Sequence, residues 1–233
     1  MRARNHNGFT IVELLVVAAV VGILMSLVSI YFSQQAKVTR DTQALQEARI
    51  KARMVAEMVV QDLQTAGSSV FINDRVSPPQ TVPVQLGCSA GGEKKCIGKP
   101  PSATRIKVSM VYATSLREEP CRRVDYRLNS LNTLQRLEQG KSAANCAQLQ
   151  ADPATSTFNP TALASNILGF SITYMCANDP VDAPPVDDPV TCYAAPKNSF
   201  PQQATVTVQA RADDLDTVTS DVELTTALPN LRY

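Results

Sequence analysis

Hydrophobic and polar positions divide this chain into three regimes. From Leu14 to Ala36 no charged side chain interrupts the sequence, and the stretch from Gly8 to Glu13 holds only one, Glu13 itself. A run of that length crosses a bilayer as a helix, since about 20 residues span roughly 30 Å of hydrocarbon. Ahead of it stands a short polar leader, residues 1–8, with Arg2 and Arg4. An ordinary secretory signal places its cut after the apolar run, at small residues. Here the abrupt polar-to-apolar junction is Gly8–Phe9, before the run.

The second regime is amphipathic. No proline occurs before Pro78, and residues 36–66 are rich in Ala, Gln, Glu, Arg and Met, all good helix formers. Leu45, Ala48, Ala52, Val55, Val59, Leu63 and Ala66 recur at spacings of three and four and trace one apolar face. Arg40, Gln43, Glu47, Lys51 and Asp62 fall largely off it, and Gly67 offers a C-cap. One helix from Phe9 to Ala66 is therefore expected, roughly 85 Å long at 1.5 Å per residue. Residues 9–32 are its membrane half and 33–67 its extended amphipathic half.

After Gly67 the period falls from about 3.6 to 2. Ile106, Val108, Met110 and Tyr112 alternate with more polar neighbours, as do Val124, Tyr126 and Leu128 against Arg123, Asp125 and Arg127. Asn129-Ser130-Leu131-Asn132 reads as a turn, with Thr133–Glu138 returning as a hairpin partner. Further strands are expected around Phe170–Tyr174, Val206–Ala210 and Thr219–Ala227, with a turn at Asp213-Asp214. Strands at this spacing, without a second long helix, predict an α+β fold: a long N-terminal helix packed on an antiparallel sheet formed by residues 68–233.

The motif at the first junction carries a resemblance. Gly8-Phe9-Thr10-Ile11-Val12-Glu13-Leu14-Leu15-Val16 resembles the cleavage and methylation site of type IV prepilins and type II secretion pseudopilins. That resemblance implies a prepilin peptidase that cuts after Gly8 and N-methylates Phe9. It also implies the pilin fold and a partner for Glu13. A carboxylate at that depth costs about 2.5–3.5 kcal/mol on insertion scales, and the family offers the amine of Phe9 on an adjacent subunit to offset it. Gly22 matches a glycine of many pilins, while the proline that often follows is missing. Residues 53–67, the stretch 163–174 and the tail Ala-Leu-Pro-Asn-Leu-Arg are similar to PilW-type minor pilins, although J-type pseudopilins share much of the first. The implied route is a single-pass protein of the inner membrane lipid, its C-terminal domain outside the cytoplasm, that joins major and minor pilin subunits in a pilus at the cell surface. It would help to start pilus assembly.

Composition narrows the chemistry. Formal net charge is +1, and without Arg2 and Arg4 the chain has 20 basic and 21 acidic side chains, too balanced for a bulk electrostatic case for nucleic acid. The single histidine, His6, lies in the leader. Beyond it there is no Ser-His or Cys-His nucleophile pair and no imidazole ligand, so neither an enzyme, a cofactor nor a metal site is expected.

Six cysteines, Cys88, Cys96, Cys121, Cys146, Cys176 and Cys192, all follow the helix. An even number in the exported part, with no C-x-x-C pair, points to disulfides in an oxidising compartment. Six cysteines allow 15 pairings. Neighbour pairing, 88–96, 121–146 and 176–192, is preferred because each bridge closes a loop rich in Gly, Pro or polar residues.

Two surface features invite a ligand. Arg105, Lys107, Arg123 and Arg127 could share a polar sheet face and meet DNA phosphates, as in a tip subunit for DNA uptake or surface adhesion; a solvated sheet face accounts for them equally well. Asp179, Asp182, Asp187 and Asp188 could hold Ca²⁺, but the four prolines of the segment Asn178–Pro189 fit an extended exposed loop better.

Overall fold

The computed structural model describes residues 11–68, 70–73, 80–83, 86, 96–98, 106–114, 120–141, 146, 161–180, 182–194, 199–213, 215 and 217–231; for 70–73, 80–83, Ile106, Lys107 and Lys141 only the backbone is described. The chain forms two compact units, Met1–Ala44 and Leu45–Tyr233. Helix α1, Ile11–Thr65, begins in the first and ends in the second. In the first unit its large apolar side chains are bare, from Ile11 at 82% exposure to Phe32 at 66%.

In the second unit the three- and four-residue spacing becomes a buried face. Ala48, Ala52, Val55, Ala56, Val59, Leu63 and Ala66 are each at most 1% exposed. Four of the seven are alanines, so the helix backbone can approach the sheets closely, while Val55, Val59 and Leu63 supply most of the apolar area, about 1.5–3 kcal/mol each. Leu45 departs from the expected stripe and is 46% exposed. Asp62 departs in the opposite sense: expected off the apolar face, its side chain is only 14% exposed.

Gly67 ends the helix with φ +77°, the left-handed conformation that glycine adopts without Cβ strain. Its N–H donates to the Val111 carbonyl at 2.8 Å. A Cβ on Gly67 would lie 2.8 Å from Leu231 Cδ2. A 3-10 turn at Pro229–Leu231 thus seals the helix end, and Asn230 Nδ2 donates to the Gln64 carbonyl at 2.7 Å.

One sheet was expected; the described strands form three antiparallel ones. A hairpin pairs β1, Val70–Asn73, with β2, Gln80–Pro83. A five-stranded sheet runs in the order of the chain: β3, Ile97–Gly98; β4, Ile106–Ala113; β5, Cys121–Leu128; β6, Leu134–Lys141; and β7, Thr161–Ala164. The third sheet holds β8, Ile167–Cys176, β9, Pro201–Arg211, and β10, Thr219–Ala227, with β9 central. A short helix α2, Val190–Tyr193, lies between β8 and β9.

The division falls at Ser165-Asn166, between β7 and β8. Asn166 has φ +59°, and this left-handed residue passes the chain from the edge of one sheet to the edge of the next. The sheets stay fastened there: Ile167 N–H donates to the Asn132 carbonyl at 2.8 Å, and Arg211 N–H to the Asn166 carbonyl at 2.9 Å. Asn132, also left-handed at φ +55°, closes the β5–β6 turn. In that turn Asn129 Oδ1 accepts from the Leu131 and Thr133 amides, both at 2.9 Å. Inward residues of both sheets, among them Val108, Met110, Val124, Phe170, Val206 and Val208, join the helix face in one core.

Candidate functional site

The N-terminal half of α1 carries Glu13 in its first turn. Beyond Glu13 its three serines are serviced from within. Ser26, Ser29 and Ser33 donate to the carbonyls of Ile23, Met25 and Ile30 at 2.7, 2.9 and 2.8 Å. Such back-bonding leaves no hydroxyl proton unsatisfied where water is absent. Gln35 Nε2 donates to the Tyr31 hydroxyl at 2.8 Å, and Tyr31 meets Phe32 edge to face at 6.2 Å. The helix is long and apolar enough to cross a membrane. Gly8 and Phe9 lie outside the described residues.

In the second unit the helix is fixed by an ionic fastening that the sequence pattern did not signal. Tyr126 and Arg136 face each other across β5 and β6, and both reach Asp62. The Tyr126 hydroxyl donates to Asp62 Oδ2 at 2.5 Å, and Arg136 Nε donates to the same oxygen at 2.9 Å. Arg136 Nη1 pairs with Glu138, which also pairs with Arg122. Burial, then the Asp62 charge, pushes the phenols of Tyr126 and Tyr112 up from their ordinary value. Burial works against the Arg136 charge, but its hydrogen bonds and attraction to Asp62 prevail and raise it. A cleft of about 480 Å³ opens beside this group, lined by Met58, Gln61, Asp62, Thr65, Tyr112, Arg136, Thr161 and Leu163. Asp62, Tyr126 and Arg136 satisfy one another, so the group acts as a structural lock. The signal that could have revealed it is the Tyr126–Arg136 register, which places a donor and a cation side by side.

Of the four basic residues, the two whose side chains are described, Arg123 and Arg127, are both engaged within the fold. Arg123 is 4% exposed and paired with Asp125, itself fully buried, while its Nε also donates to Ser109 Oγ at 3.2 Å. This corrects the expectation of a polar, solvated sheet face at Arg123: the guanidinium is buried and answered there, out of reach of DNA phosphates. Arg127 is half-buried and donates to Gln135 Oε1 at 2.6 Å. Arg105 and the Lys107 side chain lie outside the described residues.

Cys121 is bonded to Cys146 and Cys176 to Cys192, with Cα separations of 5.7 and 5.4 Å. The first ties the start of β5 to the segment after β6, and the second ties the end of β8 to α2. Cys96 is disulfide-bonded; Cys88, and with it the 88–96 pairing, lies outside the described residues. In the acidic loop Asp188 Oδ1 accepts from the Val190 amide at 3.0 Å. Val186 pairs with Tyr174 through both backbone bonds. Among the described residues no three carboxylates converge as metal ligands.

Residues 3–29 match the prokaryotic N-terminal methylation motif, which overlies Gly8, Phe9 and Glu13 at the head of this apolar helix. The chain is type IV pilin-like. Over 205 residues, 87% of its length, it is 29% identical to a pilin-like protein, PilA3, of Thermus thermophilus, covering 78% of that relative. For this pilin-like chain the similarity thus extends well beyond the motif, over the β-rich unit as well. The apolar helix with its methylation motif fits membrane anchoring.

Proposed function

We propose that the protein is a minor pilin of the PilW type, a non-catalytic subunit of a type IV pilus. Its precursor sits in the inner membrane with the β-rich unit outside the cytoplasm. A prepilin peptidase cuts after Gly8 and methylates the amine of Phe9. The apolar helix then exchanges lipid for the helices of other pilin subunits, where Glu13 pairs with the Phe9 amine of a neighbour, and the subunit takes part in starting pilus assembly. One observation carries this reading: directly behind Gly8-Phe9, α1 holds Glu13 as its sole charged side chain before Lys37, with its apolar side chains bare. A membrane anchor alone has no use for that carboxylate.

The test is processing. Mass spectrometry of the membrane fraction should find methylated Phe9 as the N-terminus. In Gly8→Val, where the scissile peptide no longer carries the small side chain a membrane peptidase must admit, it should find only uncut precursor. Normal Phe9 termini in Gly8→Val would remove the main support for the assignment.

A further inference from the structure

The third sheet has an open side. β10 pairs with β9 alone, and no backbone hydrogen bond links Ser220–Thr226 to any other described segment. Its outer face presents Asp221 and Glu223, both exposed, opposite Gln209 and Thr207 of β9. Neither carboxylate has an ion-pair or hydrogen-bond partner among the described residues, and Arg211, on the same face opposite Thr219, is held by Asn166 at 3.2 Å. On the inner face Val222 and Leu224 pack against the core but stay only half-buried.

We infer that the free edge of β10 is a strand-addition site for an extended segment of a partner protein in which basic and apolar residues alternate. The inference goes beyond the pilus reading and does not rest on it. A strand laid along β10 gains the ladder of unused backbone groups. Side chains two apart in that strand fall on one face, so one set lies beside Asp221 and Glu223 and the other beside Val222 and Leu224. The first set must be cationic to neutralise two unanswered carboxylates; the second must be apolar to cover the valine and leucine. Room for a long cation exists, because Asp221 forms one wall of a hollow of about 440 Å³ floored by Gly169 and bounded by Leu128, Leu168 and Gln209. A Cβ at Gly169 would press on Gln209 Cβ at 3.3 Å.

A second copy of this chain, paired in register about Val222, is a poor occupant. Antiparallel self-pairing of β10 about Val222 sets Asp221 against Glu223, and like charges directly opposite are destabilising. Charged edges of this kind guard against self-association, and the same charges select a basic partner.

The test uses the full-length protein in a neutral detergent and a labelled nine-residue peptide alternating Lys and Val, with binding read by fluorescence anisotropy. Comparison peptides replace Lys by Glu, or carry N-methyl groups on either the Lys or the Val backbone nitrogens. The Lys–Val peptide should bind, and the Glu–Val peptide should not. One of the two N-methylated peptides should lose binding and the other keep it, since alternate N–H groups point to opposite sides of a strand. Asp221→Lys with Glu223→Lys should weaken binding about tenfold at 0.1 M salt. Equal binding by both N-methylated peptides would reduce the site to a charge patch and overturn the inference. So would equal binding of the Lys and Glu peptides, or unchanged affinity in the double variant.

Discussion

Removing the Asp62 carboxylate should loosen the helix from the sheets without touching the apolar face. In Asp62→Ala the Tyr126 hydroxyl and Arg136 Nε lose their acceptor, and Arg136 Nη2 is left with the Tyr112 hydroxyl at 3.5 Å. Breaking a fully buried pair costs about 3–5 kcal/mol, because the remaining charge is stranded. Here the side chains of Asp62 and Arg136 are 14% and 20% exposed, so water reaches part of the site, and Arg136 keeps Glu138. The loss should therefore be about 2–3 kcal/mol, which lowers Tm by roughly 5–10 °C for a chain of this size. Asp62→Asn, still an acceptor for the phenol, should lose about half as much. The assay is thermal unfolding of the full chain in detergent, followed by the near-ultraviolet signal of its tyrosines, which no tryptophan obscures. The control is Arg53→Ala, which breaks an exposed pair with Glu57 and should cost a few tenths of a kcal/mol at most. An Asp62→Ala protein as stable as Arg53→Ala would refute the reasoning and leave the helix held by apolar packing alone.

Three further outcomes follow from the same geometry. Glu13→Ala should reach the membrane at wild-type level, since it sheds a desolvation penalty, yet crosslink poorly to other pilin subunits and yield fewer filaments; wild-type crosslinking and piliation in the cleaved variant would defeat the pairing role. The folded-state phenols of Tyr112, Tyr126 and Tyr174 are raised, by burial first and then by Asp62 or Asp188. Their contribution is complete below the unfolded value of about 10 and is lost as pH rises towards the folded value; stability should fall above about pH 10, and more gently in Tyr126→Phe. Gly67→Ala should cost about 1–2 kcal/mol in the same unfolding assay, because its φ is +77° and Leu231 occupies the Cβ position; an unchanged midpoint would show that the helix end does not need the seal.

What could be read in the sequence follows from how far away each residue's partner lies. The stretches 106–112, 123–128, 170–174 and 205–210 were visible because alternation is local, and the Asn129–Asn132 turn with its return at 133–138 because Asn129 bonds its own neighbours. The anchor half of α1 was visible for a stronger reason: its environment is a solvent, so length and apolarity define it without any tertiary contact. The division into sheets was hidden, because it depends on one left-handed residue, Asn166, that nothing in the local pattern marks. Arg123 misled for a related reason. Alternation with Val124 and Tyr126 reports which side of a strand a residue takes, but not whether that side is covered, and here it is covered and answered by Asp125.

Asp62 is the hardest case and the most instructive. On a helical wheel it belongs with the solvated residues, and only the rotation of α1 over the β5–β6 hairpin brings Tyr126 and Arg136 to it. Apolar periodicity sets that rotation only loosely, because an alanine-rich face slides and turns at little cost in buried area. A directional contact of one carboxylate with a phenol and a guanidinium fixes the angle that the alanines leave soft. A charge at the margin of such a smooth face is therefore a candidate for a locating pin. The pin becomes identifiable once a hairpin register places a donor and a cation together, as residues 126 and 136 are placed here.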